Sequence, residues 1–96
     1  MVLLRVHVQI YGRVQGVFFR QTTLEVAKKY GITGYVRNKF NGTVEALFEG
    51  EEDNVNKMIE FSHHGPPSAS VQGVEIISNE KVKEKLYQSF SIESTQ

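Results

Sequence analysis

The chain has 96 residues, the size of one domain, and an ordinary globular composition with 40% hydrophobic and 23% charged residues. Lys plus Arg is 11 and Asp plus Glu is 11, so the net charge is zero and the basic excess of a dedicated nucleic-acid-binding protein is missing. The chain has no cysteine, which excludes disulfides, thiolate nucleophiles and thiolate metal sites. We therefore expect a single domain over residues 1–96.

The N-terminal segment predicts neither a secretion signal nor a membrane helix. The apolar residues Met1 to Leu4 end at Arg5, and apolar and polar residues alternate from there on. No other stretch has the length and apolar character of a membrane span. We therefore expect a soluble cytoplasmic protein with no membrane partner, and a monomer as the simplest state.

The first third of the chain predicts a strand followed by a helix. Residues 4–11 alternate between apolar and polar side chains, which is typical of a half-buried strand. The glycine-containing segment 12–19 predicts a loop. From about Arg20 the apolar residues have helical spacing, and Gly31 is a suitable C-terminal end for this helix.

A hairpin is predicted next. Residues 34–40 form its first strand, and Asn41-Gly42 is a strong signal for a two-residue turn. Residues 43–49 alternate again as the return strand, with Gly50 expected to end it.

A second helix follows the hairpin. The acidic residues 51–53 suit its positive N-terminal end, and it should end at residues 63–65, since Pro66-Pro67 cannot continue it. A fourth strand is predicted over residues 70–78. The Lys- and Glu-rich segment 79–86 is predicted to be a solvated connection of undetermined role.

A short final strand contains Phe90 and Ile92. The order strand, helix, strand, strand, helix, strand is typical of the ferredoxin-like split βαβ class. We therefore predict an α+β domain in which two helices cover one face of an antiparallel sheet. Because this fold has many functions, the function must be inferred from the site.

The loop after the first strand is a candidate anion site. Its glycines permit backbone conformations that turn successive N–H groups inward, and the following helix adds its own free N–H groups. Arg20 stands where that helix begins, and its guanidinium can donate two parallel hydrogen bonds to a phosphate. The loop matches neither of the common nucleotide-binding glycine patterns. A simple turn with a solvated arginine is the alternative.

Three blocks of sequence resemble the acylphosphatase family, in the family's order and spacing. The first is GRVQGVFFR at residues 12–20, and the second is GYVRN at 34–38 followed by NGTVE at 41–45. The third is GPPSASV at residues 65–71, before the fourth predicted strand. The resemblance spans nearly the whole chain.

This resemblance implies a hydrolase that cleaves acyl phosphates with water and needs no metal or other cofactor. It implies that Arg20 binds the phosphate and that Asn38 holds the attacking water. The implied substrate-binding residues are Gln15, Gly16, Val17, Phe18, Phe19 and Arg20, through the loop amides. The chain departs from the family pattern at two positions. Tyr35 stands where a tryptophan is common and Asn41 where an aspartate is common, and both keep the chemical character of the position.

The partner implied is a small acyl phosphate and not a nucleic acid. The acyl group stays open, since 1,3-bisphosphoglycerate, acetyl phosphate and carbamoyl phosphate share the same phosphate group. Thr23 either supports the site or packs in its helix, while Phe18 and Phe19 either anchor the loop or line the entrance. His63-His64 is interpreted as a solvated helix end, because adjacent residues diverge on a helix.

Two other functional classes remain as alternatives. Ferredoxin-like domains often bind single-stranded RNA through aromatic residues on the sheet, a role in which Tyr11 and Tyr35 would serve. The neutral charge argues against this class. The other alternative is an accessory domain with the acylphosphatase fold, of the kind attached to larger carbamoyl-transfer proteins.

Overall fold

In the computed structural model, which describes residues 1–96, two helices lie against a five-stranded sheet. The elements are β1 (Leu3–Arg13), α1 (Phe19–Lys29), β2 (Thr33–Asn38), β3 (Val44–Glu51), α2 (Glu52–Ser62), β4 (Ser70–Val82) and β5 (Phe90–Ile92). The strand order is β4-β1-β3-β2-β5. The ferredoxin-like α+β prediction is confirmed, with the refinement that the sheet is mixed because β5 runs parallel to β2. Neither helix combines the length and apolar character that crossing a membrane requires.

The core lies between the helices and one face of the sheet. Apolar residues of β1 stand opposite apolar residues of β3 in antiparallel register, as in the pairs Val6–Phe48 and Val8–Ala46. These side chains are fully buried, and Met58 of α2 is buried with them. Full burial of such a side chain contributes roughly 1.5–3 kcal/mol, so this layer is the main source of stability.

Two predicted strand ends are wrong. Gly50 does not end β3, because it pairs with Leu4 inside the strand. A Cβ atom at Gly50 would lie 2.6 Å from Cδ1 of Ile32, so the glycine makes room for that side chain in the core. Likewise, β4 continues through residues 79–82, which pair with the start of β1, so half of the predicted charged connection is an edge strand.

The turn between β2 and β3 is also longer than predicted. The last pair of the two strands is Asn38–Val44, and the amide of Lys39 still donates to the carbonyl of Thr43 at 2.9 Å. Phe40, Asn41 and Gly42 therefore form a three-residue turn, with Gly42 at φ +92°. A left-handed glycine at the last position is typical of this turn class.

A buried carboxylate fastens the connection between β4 and β5 to the sheet. Glu49 points to the face opposite the helices, yet its side chain is fully buried. The carboxylate accepts from Nε of Arg5 at 2.7 Å and from the backbone amides of Leu86 at 3.0 Å and Tyr87 at 2.9 Å. Burial alone would raise the pKa of Glu49, but these hydrogen bonds outweigh it and hold the pKa below its usual value of 4.5.

Because the folded-state pKa of Glu49 is lowered, its contribution to stability is present above pH 4.5 and is lost as the pH falls through the folded-state pKa. We predict that Glu49→Gln lowers the free energy of unfolding at pH 7 by roughly 3 kcal/mol. The deficit should shrink as the pH falls towards the folded-state pKa. Urea unfolding at a series of pH values measures this.

The matched control is Glu80→Gln. Glu80 contacts the same Arg5, at 3.3 Å, but its side chain is 58% exposed. An exposed pair contributes only about 0–1 kcal/mol, so this variant should lose little stability. Equal losses in the two variants, or a pH-independent deficit in Glu49→Gln, would contradict the account.

Candidate active site

The loop between β1 and α1 contains two residues in the left-handed backbone region. Gly16 has φ +72° and Phe18 has φ +65°, and Phe18 is the one residue other than glycine with positive φ in the chain. Val14 and Val17 are buried and anchor the loop in the core. Left-handed residues in such a loop turn backbone N–H groups towards a common centre, where an anion can bind.

The start of α1 keeps its positive end free of acidic groups. Its first turn has no acidic residue and no side-chain cap, whereas the first turn of α2 contains Glu52 and Asp53. Arg20 lies in this first turn of α1 and takes part in none of the ion pairs of the chain. The helix start and the guanidinium thus provide positive charge without an internal partner.

Asn38 is the last residue of β2. It follows the alternation that turns Val36, which is fully buried, towards the helices. Its Oδ1 atom is buried and has no hydrogen-bond partner within the protein. An unpartnered buried acceptor costs roughly 1–3 kcal/mol, so no contact of this oxygen within the protein explains an asparagine at this position.

Arg37, next to Asn38, faces the other side of the sheet. Its Nε lies 3.2 Å from Oε1 of Glu45, without the alignment of a hydrogen bond, and its guanidinium lies over the ring of Tyr35. The same Glu45 is 2.9 Å from Nε2 of His7. Burial raises the pKa of Tyr35, and the charge of Glu45 adds to this shift. On this face, Glu45 therefore interacts with both Arg37 and His7.

Arg20 and Asn38 meet in a cleft of about 370 Å³, a volume in the range of small-molecule sites. The lining residues are Val14, Gly16, Phe18, Phe19, Arg20, Gln21, Asn38 and Ile92. Phe19 and Val14 are buried beneath the cleft, whereas Phe18 and Ile92 are exposed at its rim. The structure therefore brings together both predicted catalytic residues and four of the six predicted substrate-binding residues.

The remaining two predicted residues, Gln15 and Val17, do not line the cleft. The side chain of Val17 is in the core, and its carbonyl accepts from Oγ of Ser68 at 2.8 Å. The side-chain amide of Gln15 donates to the carbonyls of Lys39 at 2.7 Å and Thr43 at 2.8 Å. Gln15 therefore ties the loop to the turn that follows Asn38.

Sequence reasoning missed the contribution of Ile92 to the cleft. Ile92 pairs with Val36 in the parallel ladder between β5 and β2, which sets it beside the end of β2. Its strand was predicted, but its position at that edge depends on the path of the chain after β4. No feature of the sequence indicated that Ile92, so far along the chain, would lie near Arg20 and Asn38.

Other residues considered in the sequence lie outside the cleft. Thr23 is buried and its Oγ1 donates to the carbonyl of Phe19 at 2.7 Å, so it packs within α1. His63 and His64 are exposed after the end of α2. No three His, Asp or Glu side chains of the chain converge as metal ligands would.

A second depression, of about 380 Å³, lies between α1 and α2 and shares no residue with the cleft. Lys29 and Lys57 on its walls both lie over the ring of Tyr30, with Nζ 5.4 and 5.0 Å from the ring centre. Their charge is thus directed at an aromatic face, and no unpartnered buried polar atom points into this depression. The free guanidinium of Arg20 therefore makes the first cleft the better candidate for an anion-binding site.

The fold and the cleft define a small ferredoxin-like α+β domain with one arginine at the start of its first helix. The sequence model of the family described as Acylphosphatase matches residues 6–92. An acylphosphatase of Rubrobacter xylanophilus is 53% identical over 72 residues, which cover 75% of this chain and 66% of that protein. The solved structure of an acylphosphatase from Coxiella burnetii has 34% identity and a TM-score of 0.84, covering 96% of this chain and 94% of that chain.

A third similarity is to full-length HypF in its phosphate- and nucleotide-bound form, with 30% identity and a TM-score of 0.81. It covers 99% of this chain but only 12% of that chain. The chain belongs to the acylphosphatase family, which confirms the resemblance seen in its sequence blocks. The family and its curated members support an enzyme of the acylphosphatase type.

We predict that Gln15→Ala lowers the free energy of unfolding by roughly 2 kcal/mol, since two hydrogen bonds of about 1 kcal/mol each are lost. Gln88→Ala is the control, because Gln88 is exposed and makes no side-chain hydrogen bond. Chemical denaturation of the two variants measures the difference. An unchanged Gln15→Ala protein would show that this join does not stabilise the fold.

The left-handed backbone at Phe18 predicts an inverted order of glycine and alanine. Phe18→Gly should be more stable than Phe18→Ala by about 1 kcal/mol, because only glycine adopts this conformation without strain. At the exposed Phe40, where φ is not positive, the alanine variant should be the more stable one. Thermal unfolding compares the four variants, and the same order at both positions would contradict the prediction.

Proposed function

We propose that this chain hydrolyses acyl phosphates, with the phosphate held by Arg20 and the amides of residues 15–20 and the water oriented by Asn38. The observation that carries the proposal is that Arg20 and Asn38 line one cleft in a member of the acylphosphatase family.

The phosphate of an acyl phosphate carries the charge that the cleft can stabilise. Charge spreads over the equatorial oxygens during phosphoryl transfer, so donors aimed at those oxygens stabilise the transition state. Arg20 supplies a planar fork of donors, and the loop and helix start supply backbone N–H groups. No carboxylate or imidazole lines the cleft, so the negative charge on the phosphoryl oxygens is stabilised by Arg20 and the amides.

Asn38 orients the water without accepting its proton, since a side-chain amide is not a base near neutral pH. Its side-chain amide, which lines the cleft, hydrogen-bonds the water and leaves a lone pair of the water oxygen free for attack. A water held in line with the bond that breaks gains the rate advantage of a positioned reactant.

The reaction then balances without a general acid. The water oxygen bonds to phosphorus, the bond between phosphorus and the acyl oxygen breaks, and its electron pair leaves on the carboxylate. One proton of the water passes to a phosphoryl oxygen. The carboxylate is stable as an anion near neutral pH and needs no proton to depart.

We predict that Arg20→Ala and Asn38→Ala each lower the rate of benzoyl phosphate hydrolysis by about a hundredfold to a thousandfold, which is the usual effect of losing one important donor. Both variants should unfold at nearly the wild-type denaturant concentration. The wild-type rate should be unchanged in EDTA, since the cleft has no carboxylate or imidazole ligands.

Arg13→Ala and Asn79→Ala are the matched controls. Both residues are exposed and neither lines the cleft, so these variants should keep the wild-type rate. A folded Arg20→Ala or Asn38→Ala protein with wild-type turnover would refute the assigned roles.

A further inference from the structure

The cleft is larger than a phosphate and one water require. Its volume is about 370 Å³, and one water takes up about 30 Å³ of liquid. The remaining space can accommodate the acyl group of the substrate during the proposed reaction. The residues that line this space therefore determine which acyl groups fit.

The lining offers one charge only. Arg20 is the single charged residue among the eight, and the phosphate occupies it. The remaining polar lining side chains, Gln21 and Asn38, are neutral amides. A second anionic group on the substrate would enter a cleft with no second cation to pair it, which is unfavourable because charge is costly to desolvate without a partner.

Two large apolar side chains of the lining are open to solvent. Phe18 is 77% exposed and Ile92 is 38% exposed, and both line the cleft. They come from opposite parts of the chain, since Phe18 precedes α1 and Ile92 ends β5. Exposed apolar side chains on a concave surface with a few polar groups are typical of a ligand-binding wall.

The backbone at Phe18 indicates that its ring has a role beyond folding. The other six residues with φ between +65° and +132° are glycines, which adopt this region without strain. Phenylalanine at such a position is strained. Because the ring is mostly exposed, core packing does not offset that strain, and the loop geometry alone would be served better by glycine.

We propose that Phe18 and Ile92 form an acyl subsite that favours acyl phosphates with a bulky, uncharged, apolar acyl group over those with a small or an anionic one. The inference rests on the proposed function. The ring of Phe18 packs against the acyl group, and the branched side chain of Ile92 closes the other side. Both are specificity residues, which contact the substrate away from the reacting atoms.

The test compares kcat/KM for benzoyl phosphate and acetyl phosphate in wild type, Phe18→Ala and Ile92→Ser. The ratio of the two values removes any effect on the shared phosphate site. We expect the benzoyl-to-acetyl ratio to fall roughly tenfold in Phe18→Ala and by a smaller factor in Ile92→Ser, as loss of apolar contact area predicts. Phe18→Leu should keep most of the wild-type ratio.

Phe40→Ala is the matched control, since Phe40 is 85% exposed and does not line the cleft. Its ratio should equal that of wild type. A ratio unchanged in both Phe18→Ala and Ile92→Ser would overturn the subsite while leaving the proposed function intact. Failure of wild type to hydrolyse either substrate would overturn the proposed function and the subsite together.

A gain of specificity completes the test. Ile92→Lys adds a second cation beside the exposed part of the cleft, so it should raise kcat/KM for 4-carboxybenzoyl phosphate relative to benzoyl phosphate by roughly twofold to fivefold. Wild type should prefer benzoyl phosphate. A wild-type preference for the carboxylated substrate would contradict the inference, as would an Ile92→Lys ratio equal to that of wild type.

Discussion

The cleft depends on the join between the loop that precedes α1 and the turn that follows β2. The side-chain amide of Gln15 makes this join through the carbonyls of Lys39 and Thr43. The end of β2 is held on its other side as well, because the backbone N–H of Gln96 donates to the carbonyl of Asn38 at 3.2 Å. Asn38 is thus fixed relative to Arg20 by backbone and amide contacts that do not use either functional side chain.

The two faces of the sheet differ in the residues that they contain. The helix-facing side contains the apolar core and, at the end of β2, the cleft. The opposite face contains the charged groups, where Glu49 holds the backbone of Leu86 and Tyr87. This contact lies on the segment that leads from the edge strand β4 to β5 on the other edge, where Ile92 pairs with Val36.

The order of elements could be predicted because local patterns encode it, whereas the roles of Arg20 and Asn38 were proposed from the family resemblance. The alternation of apolar and polar residues predicted the strands, and the helical spacing of apolar residues predicted the helices. The sequence blocks that resemble the family singled out Arg20 and Asn38. The strand ends were less predictable, because Gly50 continues β3 through pairing with Leu4 and a tertiary contact to Ile32. Gln15 and Glu49 act through side-chain contacts to residues far away in the chain. A single sequence has no local signal for such contacts.

The loop amides suit either of two reactions. Converging N–H groups stabilise the oxygens of a transferring phosphoryl group, and they also stabilise the oxyanion formed when water attacks a carbonyl carbon. The unpaired guanidinium of Arg20 at the same helix start favours the phosphoryl group, because its fork of donors matches a phosphate. Attack on phosphorus is therefore the central claim.

The most direct measurement is hydrolysis of benzoyl phosphate in ¹⁸O-labelled water, followed by mass spectrometry of the two products. We expect the label to appear in the phosphate, because in the proposed reaction the water held by Asn38 attacks phosphorus. Label in the benzoate would mean that water attacks the carbonyl carbon, and would contradict the roles assigned to Arg20, Asn38 and the loop.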